Sequence, residues 1–110
     1  MTTPFPQLLD INDLNFDAVV LRAERPFLLD VSSAWCGPCK ALDPVLKALA
    51  VELAPRVLLG KLDIGDSPVV AARLGIKGTP TLLLFHRGAE IRRRLGAMTR
   101  RGLVELCEVE

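Results

Sequence analysis

The sequence is poor in the residues that nucleic-acid-binding proteins use most. It has no tyrosine, one tryptophan and four phenylalanines, and its formal net charge is only +1. Residues 76–110 carry seven Lys or Arg against four Asp or Glu, which gives that part of the chain a mild positive excess. The excess forms no long basic stripe interleaved with aromatic residues, so we expect no nucleic-acid partner. We interpret it as a solvated edge, with a weak preference for acidic partners as the alternative.

Long apolar runs, internal repeats and low-complexity segments are also absent. No apolar run approaches the roughly 20 residues that a membrane-spanning helix needs, so we expect no membrane association. The first Lys or Arg is Arg22, which comes too late for the basic start of a secretory signal. We therefore expect a cytoplasmic protein, and an exported form whose leader has been removed is the open alternative.

Cysteine is scarce, but two of the three cysteines lie close together. A chain of 110 residues can bury a core without a disulfide, so Cys36 and Cys39 need a chemical explanation. In the cytosol a close pair of thiols is more often catalytic or metal-binding than structural. Zinc usually has four Cys or His ligands, and only Cys107 and His86 remain to complete such a set. Because these two form no second closely spaced pair, we favour catalytic thiols and expect no metal site.

Apolar runs bounded by helix-breaking residues predict strands that alternate with helices. The predicted strands cover residues 7–9, 27–31, 57–62, 81–85 and 90–95. Asn12 or Asp13 is expected to cap the first helix, and Pro44 is expected to kink the second. Ser67 and Thr99 are the expected starts of the third and fourth helices.

The order β-α-β-α-β-α-β-β-α predicts an α/β fold in a single domain, residues 1–110. Strands joined through a helix are expected to run parallel, and the last two, joined by a hairpin, are expected to run antiparallel. The expected result is a mixed five-stranded central sheet flanked by about four helices on its two faces. The cysteine loop follows a central strand at its C-terminal end, where open α/β sheets usually carry their sites.

The cysteine pair is placed for thiol–disulfide exchange. If a helix begins near Cys36, its sulfur lies beside unpaired backbone N–H groups and the positive end of the helix dipole, which favour the thiolate. Cys39 follows one turn later and is expected to lie deeper. Gly37 lets the backbone turn, and Pro38 fits the first helical turn without losing a needed donor. Cys36 can then attack a disulfide as an exposed nucleophile, and Cys39 can resolve the mixed disulfide.

The stretch W-C-G-P-C-K at residues 35–40 resembles the active site of the thioredoxin family. The likeness covers roughly residues 7 to 108. Further matching positions are Asp30, Pro44, Lys61, G-T-P-T at 78–81, Gly88 and L-G-A at 95–97. The resemblance implies the thioredoxin fold and the reduction of protein disulfides through a reversible Cys36–Cys39 dithiol and disulfide. It implies a protein-disulfide reductase that acts as an electron carrier.

The resemblance also implies roles for residues around the cysteines. Asp30 shares a strand face with Leu28, and the resemblance makes it a buried proton acceptor behind Cys39. The residues alone leave a hydrogen-bonded or edge aspartate equally open. Lys61 is implied to tune Asp30 electrostatically, and an ordinary surface charge is the alternative.

Four residues are implied to contact the substrate. Trp35 is expected to form a flat apolar lip for partners, with a core position as the alternative. A cis peptide between Thr79 and Pro80 is expected beside the sulfurs, where the backbone of Thr79 pairs with an extended substrate strand. An ordinary turn is the alternative there. Gly96 is expected to let a substrate backbone pass closely.

The sequence departs from the family pattern at two positions. Ser32 stands where the family usually has an aromatic residue, and Gly65 stands where it often has an aspartate. We expect the shelf beside the cysteines to be smaller and more polar, with consequences for partner choice. Cys107 shares a helix face with Leu103 and is interpreted as a small core residue, with a regulatory thiol as the alternative.

Nothing in the chain resembles a nucleotide-binding loop, so we expect no bound cofactor beyond the redox-active disulfide. The resemblance implies that electrons come from a separate NADPH-dependent flavoprotein, thioredoxin reductase. The expected partners are that reductase and client proteins that contain disulfides, and we expect a monomer. Two alternatives stay open: a thioredoxin-like protein specialised for one client, and a binding or chaperone module with little redox turnover.

Overall fold

A computed structural model gives the fold, and the structure describes residues 7–109. The strands are β1 (Leu9–Ile11), β2 (Phe27–Ser32), β3 (Leu58–Asp63), β4 (Thr81–His86) and β5 (Ala89–Leu95). The helices are a π-helical segment (Phe16–Leu21), α1 (Gly37–Glu52), α2 (Pro68–Arg73) and α3 (Arg100–Leu106). The predicted order of strands and helices is confirmed, with β1 two residues later in the chain than expected.

The five strands form one mixed sheet in the order β1-β3-β2-β4-β5. β3 runs parallel to both β1 and β2, whereas β4 runs antiparallel to β2 and to β5. All six residues of β2 are buried, because this strand has a neighbour on each side and helices over each face. β2 is therefore the centre of the sheet, and the cysteine loop begins where it ends.

The expectation that β4 runs parallel to the strands before it is wrong. β4 pairs antiparallel with β2, with Thr81 opposite Val31 and Phe85 opposite Phe27. The preceding helix α2 has six residues, about 9 Å of helix, whereas a strand of six residues such as β3 spans about 20 Å. A helix this short does not return the chain to the opposite edge of the sheet. The chain therefore enters β4 at the edge where the cysteine loop lies.

The core lies on both faces of the sheet, as predicted. The face under α1 and α3 is packed mainly with leucines, among them Leu28, Leu42, Leu46, Leu49, Leu59, Leu82, Leu84 and Leu103. The face under the π-helical segment and α2 holds Ile11, Phe16, Val20, Phe27, Leu29, Val31, Leu62, Val70, Leu83 and Phe85. Among residues 7–109, no helix has the length and hydropathy that a membrane span requires.

The capping predictions are partly wrong. Asn15, rather than Asn12 or Asp13, is the N-cap of the π-helical segment, which has wider turns than the predicted helix. The carboxylate of Asp13 instead accepts the N–H groups of Val69 and Val70 at the start of α2, at 3.2 and 2.8 Å. Ser67 precedes α2 as predicted, but its side chain makes no capping bond. A cap from a residue so distant in the chain depends on tertiary packing and leaves no local pattern.

The expected helix start at Thr99 is confirmed. Thr99 caps α3, where its hydroxyl accepts the N–H of Gly102 at 3.0 Å. α1 continues through Pro44 and ends at Glu52. Residues 1–6 and 110 of the predicted single domain lie outside the described residues.

Replacing Gly60 with alanine is expected to destabilise the fold. A Cβ at this position lies 2.7 Å from Cζ of Phe27 and 2.8 Å from Cγ1 of Ile11, between two packed strands. Overpacking of this kind costs about 1–3 kcal/mol, which urea unfolding of Gly60→Ala measures. Gly37→Ala is the matched control, because no atom lies within 4 Å of the corresponding Cβ. Equal stability of the two variants would contradict the packing described around Gly60.

Candidate functional site

The cysteine pair lies at the junction of β2 and α1. Cys36 is the N-cap of α1, and its Sγ accepts the backbone N–H of Cys39 at 3.1 Å. The prediction that the helix begins here and that sulfur takes the capping role is confirmed. Such a bond satisfies one of the unpaired donors of the helix start, and together with the helix dipole it favours negative charge on Cys36.

Cys36 and Cys39 form a disulfide with their Cα atoms 5.2 Å apart. Cys36 is 9% exposed and Cys39 is 1% exposed, so the predicted order of exposure is confirmed. The outer sulfur is nevertheless much less exposed than the sequence suggests.

Gly37 and Pro38 occupy the first turn of α1 and are both exposed. Pro38 fits the predicted place in the turn. Gly37 is not in the left-handed region, and a Cβ there meets no atom within 4 Å. The turn at Gly37 therefore needs no positive φ, and the lack of a side chain leaves open space at this surface.

Asp30 lies behind the cysteines on the face of β2 that packs under α1. It is fully buried, and neither carboxyl oxygen has a hydrogen-bond partner among residues 7–109. The alternatives of a hydrogen-bonded or edge aspartate are therefore wrong. Burial raises the pKa of Asp30 from an ordinary 3.8 to about 7, while the Lys61 ammonium lowers it and the Asp43 carboxylate raises it.

Lys61 lies beside Asp30 on the neighbouring strand β3, with the two residues in register. Its ammonium group does not bond to Asp30. It donates to both oxygens of Asp43 on α1, at 2.8 and 2.9 Å. The sequence analysis missed Asp43. Its position four residues after Cys39 on the same helix was a visible signal, but its partner depends on how α1 packs against β3.

A second loop approaches the cysteine loop from the start of β4. The peptide between Thr79 and Pro80 is cis, as predicted. Thr79 and Ser33 share a hydrogen bond between their hydroxyl oxygens, which are 3.3 Å apart, so the two loops are in contact. Ser33 is the other residue that the sequence analysis missed. The backbone N–H of Gly96 donates to the carbonyl of Pro80 at 2.8 Å, so the residue that follows β5 is hydrogen-bonded to this loop.

Trp35 and Gly96 also lie at the surface of the site. The side chain of Trp35 is 95% exposed, so the alternative of a core tryptophan is wrong. Gly96 has a φ of +102°, a conformation that glycine adopts without strain, and no atom lies within 4 Å of the place a Cβ would take. The structure thus brings an exposed indole, two loops and an open glycine to one edge of the sheet.

The comparisons with known proteins agree with this architecture. A model of the thioredoxin family matches residues 7–108. The chain belongs to the thioredoxin family. Family membership confirms the predicted thioredoxin fold, and together with the bonded cysteine pair it makes the chain a thiol–disulfide oxidoreductase.

Three bacterial thioredoxins match this chain over most of their own length. The thioredoxin of Haemophilus influenzae is 40% identical over 92 residues, which are 84% of this chain and 86% of the relative. The thioredoxin of Buchnera aphidicola is 34% identical over 102 residues, 93% of this chain and 94% of the relative. The thioredoxin of Acidithiobacillus ferridurans is 36% identical over 101 residues, 92% of this chain and 94% of the relative.

The expectation that Ser32 makes the shelf beside the cysteines more polar is wrong, whereas the smaller shelf and its consequence for partner choice stay predictions. Ser32 is 1% exposed, and its hydroxyl has no hydrogen-bond partner among the described residues. It adds no polar group to the surface, because it is the last residue of β2 and faces inward like Asp30. Gly65 is exposed, and its backbone N–H donates to Asp63 at 2.7 Å.

The remaining thiol of this thioredoxin family member lies away from the site. Cys107 is 5% exposed and packs in the core below α1 and α3. Burial raises the pKa of the Cys107 thiol to about 11, against a smaller lowering by Arg92. Both observations favour the interpretation of Cys107 as a core residue. Within residues 7–109, no group of three or more His, Cys, Asp or Glu side chains is arranged to hold a metal ion.

The stability gained by replacing Asp30 with asparagine is expected to depend on pH. The pKa of Asp30 is about 7 in the folded state against 3.8 for an ordinary aspartate, so between these values the folded state holds a proton that the unfolded chain has lost. The contribution of Asp30 to the stability of the native protein is therefore fully present below about pH 4 and is lost as the pH rises through about 7. An asparagine cannot ionise and does not show this fall.

Urea unfolding of Asp30→Asn and of the native protein at pH 4 to 8 tests this. The difference in the free energy of unfolding between the two is expected to grow by about 4 kcal/mol from pH 4 to pH 8, in favour of the variant. A difference that stays constant over this range would show that Asp30 ionises as readily in the folded state as in the unfolded chain.

Proposed function

We propose that this protein reduces disulfides in client proteins, with Cys36 as the nucleophile and Cys39 as the resolving thiol. The observation that carries this assignment is the bond from the N–H of Cys39 to Sγ of Cys36 at the start of α1. A backbone donor aimed at one sulfur of the pair stabilises that sulfur as a thiolate, and the thiolate is the attacking species in exchange. Cys36 is also the more exposed of the two.

The exchange has two steps, and each conserves one disulfide bond. In the reduced protein the Cys36 thiolate attacks one sulfur of a client disulfide, so a bond forms between Cys36 and the client and one client thiolate leaves. Cys39 then loses its proton and attacks Sγ of Cys36. The Cys36–Cys39 bond forms, the second client thiolate leaves, and both client thiolates take up protons. Two electrons have passed from the protein to the client.

Asp30 is the proposed acceptor of the Cys39 proton. Its carboxyl is buried on the face of β2 that α1 covers, and it has no hydrogen-bond partner among residues 7–109 to compete for a proton. Because burial raises the pKa of Asp30 to about 7, the carboxylate becomes a useful base near neutral pH. Lys61 adjusts this value through its positive charge on the adjacent strand.

The edge that surrounds the cysteines is the proposed binding surface for clients. Trp35 offers an exposed apolar face, and Gly37 and Gly96 leave room for a client backbone to approach. The backbone of Thr79 is proposed to pair with an extended client segment. Next to this loop a hollow of about 270 Å³ is lined by residues that include Thr81 and Leu95, and Leu95 is 66% exposed.

The protein is proposed to work as an electron carrier in the cytoplasm. Each turnover leaves the Cys36–Cys39 bond oxidised, so a two-electron donor must reduce it again. We assign this step to a separate NADPH-dependent flavoprotein of the thioredoxin reductase class, which is the donor that family membership suggests. The protein is proposed to act as a monomeric, single thioredoxin domain over residues 1–110, without a bound cofactor of its own.

Insulin reduction tests this function. With NADPH and a bacterial thioredoxin reductase, the native protein is expected to turn over repeatedly, and Cys36→Ser is expected to lose essentially all activity because it lacks the nucleophile. Cys39→Ser is expected to stop after one attack and to hold a mixed disulfide through Cys36, which mass spectrometry detects. Cys107→Ser is the matched control, since this third cysteine lies away from the site, and it is expected to retain turnover.

Other outcomes would point to the alternatives. Reduction that requires a chemical reductant and ignores the reductase would favour a protein specialised for one client. No reduction under either condition, with client binding unchanged in Cys36→Ser, would favour a binding or chaperone module.

A further inference from the structure

The strand register suggests that the Lys61 ammonium group pairs with Asp30, but it bonds to Asp43 instead. Lys61 and Asp30 are direct neighbours on the parallel strands β3 and β2, so their side chains leave the same face of the sheet. A lysine in this place can reach the carboxyl of its strand neighbour. Here Nζ of Lys61 lies 2.8 and 2.9 Å from the two oxygens of Asp43, and the Asp30 oxygens have no hydrogen-bond partner among the described residues.

Asp43 is placed to compete for this ammonium group. It lies four residues after Cys39 on α1, one turn further along the same side of the helix. The side chains of Asp43 and Lys61 are 27% and 29% exposed, so their ion pair is partly shielded from solvent. Asp30, in contrast, is fully buried. A bond to both oxygens of a partly hydrated carboxylate requires less desolvation of the ammonium than a pair with Asp30.

We propose that Asp43 is a positioning residue for the exchange reaction, which binds the Lys61 ammonium and keeps it from pairing with the Asp30 carboxyl. This inference rests on the proposed role of Asp30 as the acceptor of the Cys39 proton. Among the described residues, Asp43 is hydrogen-bonded through its carboxylate to Lys61 and not to either cysteine. It acts on the reaction through Lys61 and Asp30.

The charged groups around Asp30 make this arrangement effective. β3 contributes Lys61, α1 contributes Asp43, and the neighbour on β4 is the apolar Leu82. The charged residues of α3 point elsewhere: Arg100 pairs with Glu52, and Arg101 with Glu105. α3 meets the core on this side through Leu103. The protonation of Asp30 is therefore governed mainly by its burial and by the Asp43–Lys61 pair.

A salt bridge between Lys61 and Asp30 would weaken Asp30 as a base. An ammonium in contact with a carboxylate lowers the pKa of that carboxyl, typically by about 1–3 units. By holding Lys61 at α1, Asp43 leaves Asp30 able to keep a proton near neutral pH. Asp30 can then exchange a proton with Cys39 in either direction.

The test is the pKa of Asp30 in the disulfide form of the full chain, followed by NMR of its side-chain carboxyl carbon. In Asp43→Asn the ammonium is released, and the pKa of Asp30 is expected to fall by about one unit, a tenfold weaker affinity for the proton. The acid limb of the pH profile for insulin reduction is expected to move to lower pH by a similar amount. Asp43→Glu, which keeps the carboxylate, is expected to restore most of both values.

Removing Lys61 separates positioning from simple charge repulsion. In Lys61→Gln the pKa of Asp30 is expected to rise, and adding Asp43→Asn to this variant is expected to change it much less than in the native background. An equal fall in both backgrounds would mean that Asp43 acts only as a nearby negative charge, and would overturn the proposal. An unchanged pKa in Asp43→Asn would overturn it as well.

Glu52→Gln is the matched control, because it removes another paired carboxylate from α1 at the far end of the helix. It is expected to leave the pKa of Asp30 unchanged, and a fall like that of Asp43→Asn would overturn the proposal. Failure of the proposed role of Asp30 would give a different experimental result. Full activity of Asp30→Asn would remove Asp30 from the mechanism, and with it the role of Asp43 in the reaction, whatever the NMR titrations of the Asp43 variants show.

Discussion

The complete burial of β2 is the constraint on which the site depends. Its neighbours are β3 and β4, and helices cover both of its faces, so none of its six residues reaches solvent. Asp30 on this strand must therefore leave water together with the leucines around it. The strand ends at Ser32, and Cys36, the N-cap of α1, follows four residues later. One strand thus sets both the environment of the Asp30 carboxyl and the position of the sulfurs.

The antiparallel direction of β4 completes the site. Because α2 is too short to return the chain across the sheet, residues 78–80 arrive at the edge that holds the cysteine loop. The hydroxyls of Ser33 and Thr79 are then hydrogen-bonded between the two loops, and the backbone N–H of Gly96 donates to the carbonyl of Pro80. With a parallel β4, this second loop would start at the opposite edge of the sheet, away from the cysteine loop.

Three charged side chains lie on this side of β2 and β3, and they differ in burial and in pairing. Asp30 is buried without a partner, whereas Lys61 and Asp43 neutralise each other at the border of the core. A carboxyl in the core is difficult to ionise, and this difficulty lowers the stability of the fold near neutral pH. The same property suits Asp30 to its proposed role as the acceptor of the Cys39 proton. The proposed proton acceptor of the site is therefore also a group that lowers stability.

Local patterns in the amino-acid sequence were enough to predict the order of the elements, the start of α1 at Cys36 and the exposure order of the two sulfurs, whereas the burial of Asp30 was implied only by the family resemblance. Each of the first three depends on apolar periodicity, helix breakers and capping, which act between residues a few positions apart. The sequence could not reveal that Asp13 caps α2, that β4 runs antiparallel, or that Asp43 holds Lys61. Those features depend on which distant segments pack together, and only the tertiary structure brings the segments into contact.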